Sequence, residues 1–315
     1  MLSGILAALG AGLLWGLVFI TPLLLPDYPG MILSFGRYTA FGLIALIPAW
    51  FDRKHIFALR RQDWMAAFKL ALVGNIVYYA ALASAIQLAD APLPTMLIGT
   101  LPMVIAICSN WSPHHPSERI AWNKLVFPLG IILIGLMLVN AAELRHLNDQ
   151  RSPAEYLRGG LIALIAVAAW TWYPIMNSRY LKVFTHISSS TWATAQGLAT
   201  LPLALLGFAL YGIAAGLDGT GSQYVFPLGA RPEKFIVVML VLGLLASWLG
   251  TLLWNHASQK LPTSLAGQLI VFETLSALLY TFVLRGSLPM PQILVGVCLL
   301  CLGVALSVRA FQPAK

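Results

Sequence analysis

Charge is what this chain of 315 residues lacks most: Asp, Glu, Lys and Arg together make up 10% of it, and 11 residues are acidic. So few charges cannot cover a water-facing surface, which excludes an ordinary soluble domain. Cysteine is scarce too. Cys108, Cys298 and Cys301 each lie inside an apolar run with no His or carboxylate at ligand spacing. Neither a disulfide framework nor a metal centre is expected, and the three are read as reduced packing residues. No nucleophile elbow, no paired carboxylates in one loop and no nucleotide-binding signature occur, so cofactors are not expected and ATP-driven work by this chain alone loses support. His114 and His115 abut in a Pro-rich loop without a third ligand, and the string GTGSQ lacks the strand-to-helix setting of a phosphate loop.

What is abundant is apolar residue. Hydrophobic types make up 59% of the chain. They fall into runs of roughly 18 to 25, the length that crosses a ~30 Å hydrocarbon core at ~1.5 Å per residue. Read as helices, the runs predict ten spans, at 3–25, 31–51, 64–87, 92–111, 123–140, 159–180, 191–215, 235–257, 263–284 and 290–311. The first lacks a basic n-region and is followed by PDYPGM rather than a small-residue cleavage site, so it is expected to stay in the mature protein. A net charge of +8 raises the question of nucleic acid, but the basic residues sit in short loops between spans. Their distribution is a topology signal. With the N-terminus inside, 12 Lys and Arg fall on the cytoplasmic side and 6 outside, which predicts both termini in the cytoplasm. The loops at 141–158 and 217–234 are the longest, and both are then external.

An internal repeat divides the chain near residue 150. A shift of 155 superposes Gly4, Ala8, Ala11 and Trp15 on Gly159, Ala163, Ala166 and Trp170; a shift of 172 superposes Ala85 and Gln87 on Ala257 and Gln259. Five spans is an odd number, so the copy at 151–315 must enter the membrane upside down relative to that at 1–150. Oppositely oriented halves around a central site are the usual basis of alternating access.

The strings AALGAGLLWG, FGRYTAFGL and LWNHASQKLPTSLAGQLIVFETLSALL, in this order and spacing, resemble the ten-helix drug/metabolite transporter superfamily of EamA type. The resemblance covers essentially the whole chain. It departs in the ninth span, where the family's usual Glu-Pro reads Glu273 then Thr274, while the place matched in the fourth span reads Leu101 then Pro102. The resemblance implies an all-α membrane protein of two inverted five-helix repeats, acting as a proton-linked or exchange-type carrier of metabolites. It names no substrate.

Arg37 and Glu273 are the ionisable residues that fall well inside the hydrocarbon on this reading. Such groups cost about 2.5 to 3.5 kcal/mol each on insertion scales unless a cavity or a partner receives them. Glu273 lies near the midplane, and two readings stay open: a buried carboxyl hydrogen-bonded to a neighbouring helix, or a group that carries a proton through a cycle. Arg37 is nearer the outer end. Its stem either snorkels outward or pins a helix through carbonyls, or its guanidinium meets a substrate carboxylate. Trp15 and Trp170, matched by the repeat, lie too deep for the interfacial belt where Trp collects. Around them are placed Asn75, Tyr78, Tyr79, Thr95, Trp172, Tyr173, Trp248, Gln268 and Tyr280 as candidate lining residues. The stripes Ala8, Gly12, Trp15, Phe19 and Ala266, Ile270, Glu273, Ala277, Tyr280 serve equally well as helix-packing faces. Pro22, Pro48, Pro102, Pro128, Pro174 and Pro202 interrupt spans, with Pro174 on the Trp170 face read as a hinge or a static kink.

The function expected is therefore secondary active transport, with the small-molecule substrate and the lipid bilayer as partners, a homodimer allowed and nucleic acid excluded. Aromatic faces with one carboxylate suit an ammonium group, and Arg37 suits a carboxylate, which favours export of amino acids or related zwitterions. Organic-cation efflux uses the same features without Arg37. A non-transporting sensor or assembly subunit is the alternative of another class, and an intramembrane enzyme has little support.

Overall fold

Helix is the structure that a chain must form in hydrocarbon, because it satisfies every backbone N–H and C=O within one segment. The computed structural model describes residues 1–89, 92–111, 121–144, 152–217, 224–286 and 288–310, and helices fill nearly all of them. In chain order these are α1 (Leu2–Trp15), α2 (Leu17–Leu24), α3 (Gly30–Phe51), α4 (Arg53–Ala58), α5 (Arg61–Leu70), a π-helical turn Ala71–Val77, α6 (Tyr78–Ala89), α7 (Pro92–Gly99) and α8 (Leu101–Trp111). There follow α9 (Trp122–Leu144), α10 (Pro153–Val183), α11 (Ser189–Leu217), α12 (Pro232–Leu242), a second π-helical turn Gly243–Leu249, α13 (Gly250–Lys260), α14 (Thr263–Leu269), α15 (Val271–Arg285) and α16 (Pro291–Ala310).

Among the described residues, nine helical stretches are long and apolar enough to cross a membrane. The difference from the ten read in the sequence lies at 92–111, which divides into α7 and α8. The cause is local. Thr100 places both its N–H (3.1 Å) and its hydroxyl (2.6 Å) on Leu97 O, and Pro102 has no N–H to extend the α-helical ladder. Pro174, by contrast, sits inside an α10 that runs unbroken for 31 residues. That helix begins with a capping box: Ser152 Oγ accepts from Glu155 N, and Glu155 Oε2 accepts from Ser152 N. It therefore starts six residues before the span read from hydropathy (159 − 153). His114, His115 and the GTGSQ string lie outside the described residues.

The helices pack in a definite scheme. The closest partners are α9 with α16, α3 with α11, α6 with α10, α1 with α13, and α8 with α14. In terms of spans these are five with ten, two with seven, three with six, one with eight and four with nine. Exchanging each span with the one five places along maps this set onto itself. Large apolar side chains such as Leu161, Leu210 and Val283 point outward, as a lipid-facing surface requires. Cys108, Cys298 and Cys301 are free and exposed on that surface, which corrects their reading as packed residues. Inward lies a core of Ala, Leu and aromatic side chains running from Ala8 on α1 to Ile270 beside α15.

Candidate functional site

The bend after α14 sets the position of the carboxylate. Ile270 N bonds Gly267 O (3.2 Å) and Glu273 N bonds Ile270 O (2.9 Å), two successive three-residue steps that end one helix and start the next. Glu273 thereby falls in the first turn of α15, the end of the helix dipole that favours an anion. The single helical stripe read through Ala266, Ile270, Glu273 and Tyr280 is broken at its second member. Opposite the bend lies Gly12, where an added Cβ would be 3.0 Å from Glu273 N, so a larger residue would push α1 off the bend by a few tenths of an ångström or more.

One turn further along α1, Trp15 enters a continuous aromatic cluster. Its ring meets Trp170 edge-on (centroids 5.7 Å apart, 69°) and Trp254 at a tilt (5.4 Å, 47°). Trp170 is stacked between Tyr78 (4.6 Å) and Tyr173 (5.0 Å). From Tyr78 the contacts pass to Tyr79 (6.4 Å) and then to Tyr38 (6.2 Å, perpendicular). Each such pair adds about 0.5–1.5 kcal/mol beyond its buried area. Tyr173 reaches its place because Gly74 leaves room: a Cβ there would sit 2.3 Å from the Tyr173 ring.

Arg37 closes the cluster at its far end. The guanidinium carbon lies 5.1 Å from the Tyr38 centroid and 6.0 Å from that of Tyr79, and the residue is 8% exposed. It does not snorkel. Its Nε donates to Ser247 Oγ (2.9 Å) and one terminal nitrogen to Ala246 O (3.4 Å), both on the second π-helical turn. Glu273 is near enough to act electrostatically on Arg37, Tyr38 and Tyr78. The structure thus gathers Trp15, Arg37, Tyr78, Tyr79, Trp170, Tyr173 and Glu273 around one locus.

The remaining candidates are engaged elsewhere. Asn75 Nδ2 donates to Thr200 Oγ1 (2.9 Å), Trp248 Nε1 to Thr194 Oγ1 (3.2 Å), and Tyr280 OH to Leu13 O (3.0 Å) on the flank of α1. Gln268 is fully buried; its Nε2 donates to Ser264 O, while Oε1 has no hydrogen-bond partner among the described residues. Thr95 lies on α7, with its side chain outside the described residues.

Two groups were not singled out in the sequence. Tyr38 and Trp254 belong to the aromatic cluster, and Tyr38 is announced only by its adjacency to Arg37. Beneath the cluster runs a buried amide network. Tyr173 OH donates to Gln196 Oε1, Gln196 Nε2 and Trp192 Nε1 both donate to Asn177 Oδ1, and Asn177 Nδ2 donates to Asn255 Oδ1, each at 2.9 Å. Asn177, Gln196 and Asn255, inside the spans read at 159–180, 191–215 and 235–257, were the available signal, since such groups need partners in hydrocarbon.

Both ends of α3 are tied to the second part of the chain. At one end Tyr28 OH donates to Leu228 O (2.7 Å), Tyr28 stacks on Phe235 (4.9 Å, 3°), and Arg231 pairs with Asp27. Nearby, burial and then the field of Tyr28 push the Tyr224 hydroxyl up to about 12, so it stays neutral and donates to Pro227 O. At the other end Thr191 Oγ1 donates to Asp52 Oδ2 (2.6 Å) and Tyr180 OH to Asp63. A cavity of about 290 Å³ opens beside Asp52, lined by His55 and His186; it belongs to this end of the bundle and not to the aromatic cluster.

Comparison with known proteins gives a consistent result. The EamA-like transporter family matches residues 2–141. The chain is 46% identical over 315 residues to inner membrane protein YtfF of Escherichia coli (strain K12), covering 100% of this chain and 97% of that protein. It is 19% identical to uncharacterized transporter YoaV of Bacillus subtilis (strain 168) over the full length of both. A crystal structure at 19% identity superposes with a TM-score of 0.71 over 98% of this chain and 96% of its own, a likeness of fold.

Proposed function

Since the chain belongs to the EamA-like transporter family, we propose that it is a secondary carrier that exports small zwitterions, amino acids or related metabolites, across the inner membrane. The cycle is proton-coupled or exchange-type alternating access. The observation that carries this reading is a buried cation, Arg37, over the rings of Tyr38 and Tyr79 and within electrostatic reach of one carboxylate, Glu273. A substrate bearing both an ammonium and a carboxylate meets both groups and leaves no net charge in the bundle, whose bare ions are expensive. Glu273 receives the ammonium or, between substrates, the coupling proton.

Organic-cation efflux fits less well. The guanidinium already sits over the faces of Tyr38 and Tyr79, so a bound cation would share the cluster with a like charge. The self-consistent pairing of spans supports two inverted repeats, 1–150 and 151–315, and YtfF's name supports the inner membrane. A carrier role, rather than an enzyme or a sensor, agrees with YoaV being named a transporter.

Counterflow by the purified protein in liposomes tests the substrate class. Amino acids are expected to compete and quaternary ammonium compounds to be inert; the reverse pattern replaces the zwitterion reading with cation efflux. On the Lys and Arg distribution we propose that both termini are cytoplasmic, so an Asp149→Cys variant should react with an impermeant maleimide in intact cells, and protection there would invert the topology.

A further inference from the structure

The two π-helical turns are set in corresponding places and do corresponding things. Ala71–Val77 and Gly243–Leu249 begin 172 residues apart (243 − 71), the shift already seen in the sequence repeat. In each, the N–H that follows the turn reaches five residues back, Tyr78 to Val73 O and Gly250 to Leu245 O. Such a turn carries an extra residue and displaces the local bonding pattern, so side chains can engage backbone or polar groups there. Asn75 and Ser247 hold the same place in the two turns, again 172 apart (247 − 75).

Each of these residues is bonded across the repeat boundary. Asn75, in the first part of the chain, donates to Thr200 on α11 (2.9 Å). Ser247, in the second part, accepts from Arg37 on α3 (2.9 Å), and the neighbouring Ala246 O takes a second guanidinium N–H (3.4 Å). The helices that supply these partners, α3 and α11, pack against one another. One contact is charge-assisted with two acceptors; the other is a neutral amide to a hydroxyl. The first is therefore the stronger, by roughly twofold in energy for hydrogen bonds of these kinds.

We infer that the two contacts, both closed in this structure, are opposed latches, Arg37 on the Ser247 turn and Asn75 on the Thr200 helix, and that opening to either face releases one while the other holds. This rests on the alternating-access reading above. It gives the pseudo-symmetric fold an inbuilt bias: the state that keeps the Arg37 latch is favoured until substrate or Glu273 competes for the guanidinium. It also accounts for Asn75, a polar residue in an apolar span that has no place in the aromatic cluster.

The test needs no substrate. In a background with Cys108, Cys298 and Cys301 replaced by Ser, single reporters Leu33→Cys and Leu181→Cys mark the two ends of the bundle; both positions are buried, so each reacts only when its end opens. Reaction with an impermeant maleimide is timed in right-side-out and inside-out vesicles. Ser247→Ala should shift the ratio of the two rates about tenfold in one direction, and Thr200→Val about fivefold in the other, the factors expected for hydrogen bonds to charged and neutral groups. Ser247→Thr and Thr200→Ser, which keep the hydroxyls, should restore the parental ratio, and they show that loss of folding is not being read. Accessible reporters whose ratio ignores both deletions, or moves the same way with both, overturn the latches alone. Reporters that open to neither face in the parent overturn the carrier reading and the latches with it.

Discussion

The fourth and ninth spans make the same bend and put different chemistry beyond it. In the fourth, Thr100 N reaches Leu97 O and Met103 N reaches Thr100 O; in the ninth, Ile270 N reaches Gly267 O and Glu273 N reaches Ile270 O. The corresponding residues stand 170 apart (270 − 100), so the geometry matches Glu273 with Met103 and not with Leu101, the partner read from the sequence shift. A thioether fills the first turn after one bend and a carboxylate fills it after the other. Backbone shape is thus shared between the two parts of the chain, while ionisable groups are divided: Arg37 comes from the first and Glu273 from the second. On the carrier reading proposed above, the two halves must be alike enough to exchange shapes, and unlike enough to hold one substrate in one orientation.

Substitutions that attack this division should have the largest effects. Arg37→Ala is expected to lower zwitterion counterflow by about a hundredfold, since a buried charged hydrogen-bond partner is removed at about 2–3 kcal/mol. Arg37→Lys should recover little, because one ammonium cannot reproduce the planar fork that reaches both Ser247 and Ala246. Retained counterflow in Arg37→Ala would return the residue to a purely structural role. Gly12→Leu attacks the close approach of α1 to the Glu273 bend; overpacking there should destabilise the protein by about 1–3 kcal/mol, read as a lower Tm in detergent. Moving the carboxylate sharpens the comparison. Met103→Glu introduced into a Glu273→Gln protein should not restore pH-dependent flux, because Arg37 and the Tyr78 ring belong to the ninth-span site. The smallest effect is expected for Tyr173→Phe, which keeps the stack on Trp170 and loses the bond to Gln196: about a three- to tenfold weaker half-saturation in counterflow, with little change in maximal rate.

Much of this architecture is legible in the residues themselves, because hydrocarbon imposes so few solutions. The apolar runs mark the spans, and Trp15 and Trp170 stand out since the repeat carries a rare, deep indole twice. Arg37 and Glu273 are visible as ions where ions are costly. What the pattern hides is backbone irregularity. A π-helical turn such as Gly243–Leu249 has no compositional mark, so the reading of Arg37 as pinning a helix through carbonyls could not name Ala246 O and Ser247 Oγ, and snorkelling stayed open beside it. The bend at Thr100 carries a proline two residues on, but the one at Ile270 carries none, so a continuous stripe was drawn through it. Trp254 escaped notice because it stands in the polar string LWNHASQKL, where an indole reads as interfacial; only packing on Trp15 brings it inward.

The central claim is that the carboxylate in the first turn of α15 couples the cycle, and the pH profile of flux in Glu273→Gln tests it most directly. Reconstituted in liposomes, the parent should transport with a pH dependence across the neutral range. The variant, folded to the same Tm, should exchange substrate at a rate that no longer changes with pH. A variant whose profile follows that of the parent would contradict the account and leave Glu273 as a buried group that only holds α15 against α1.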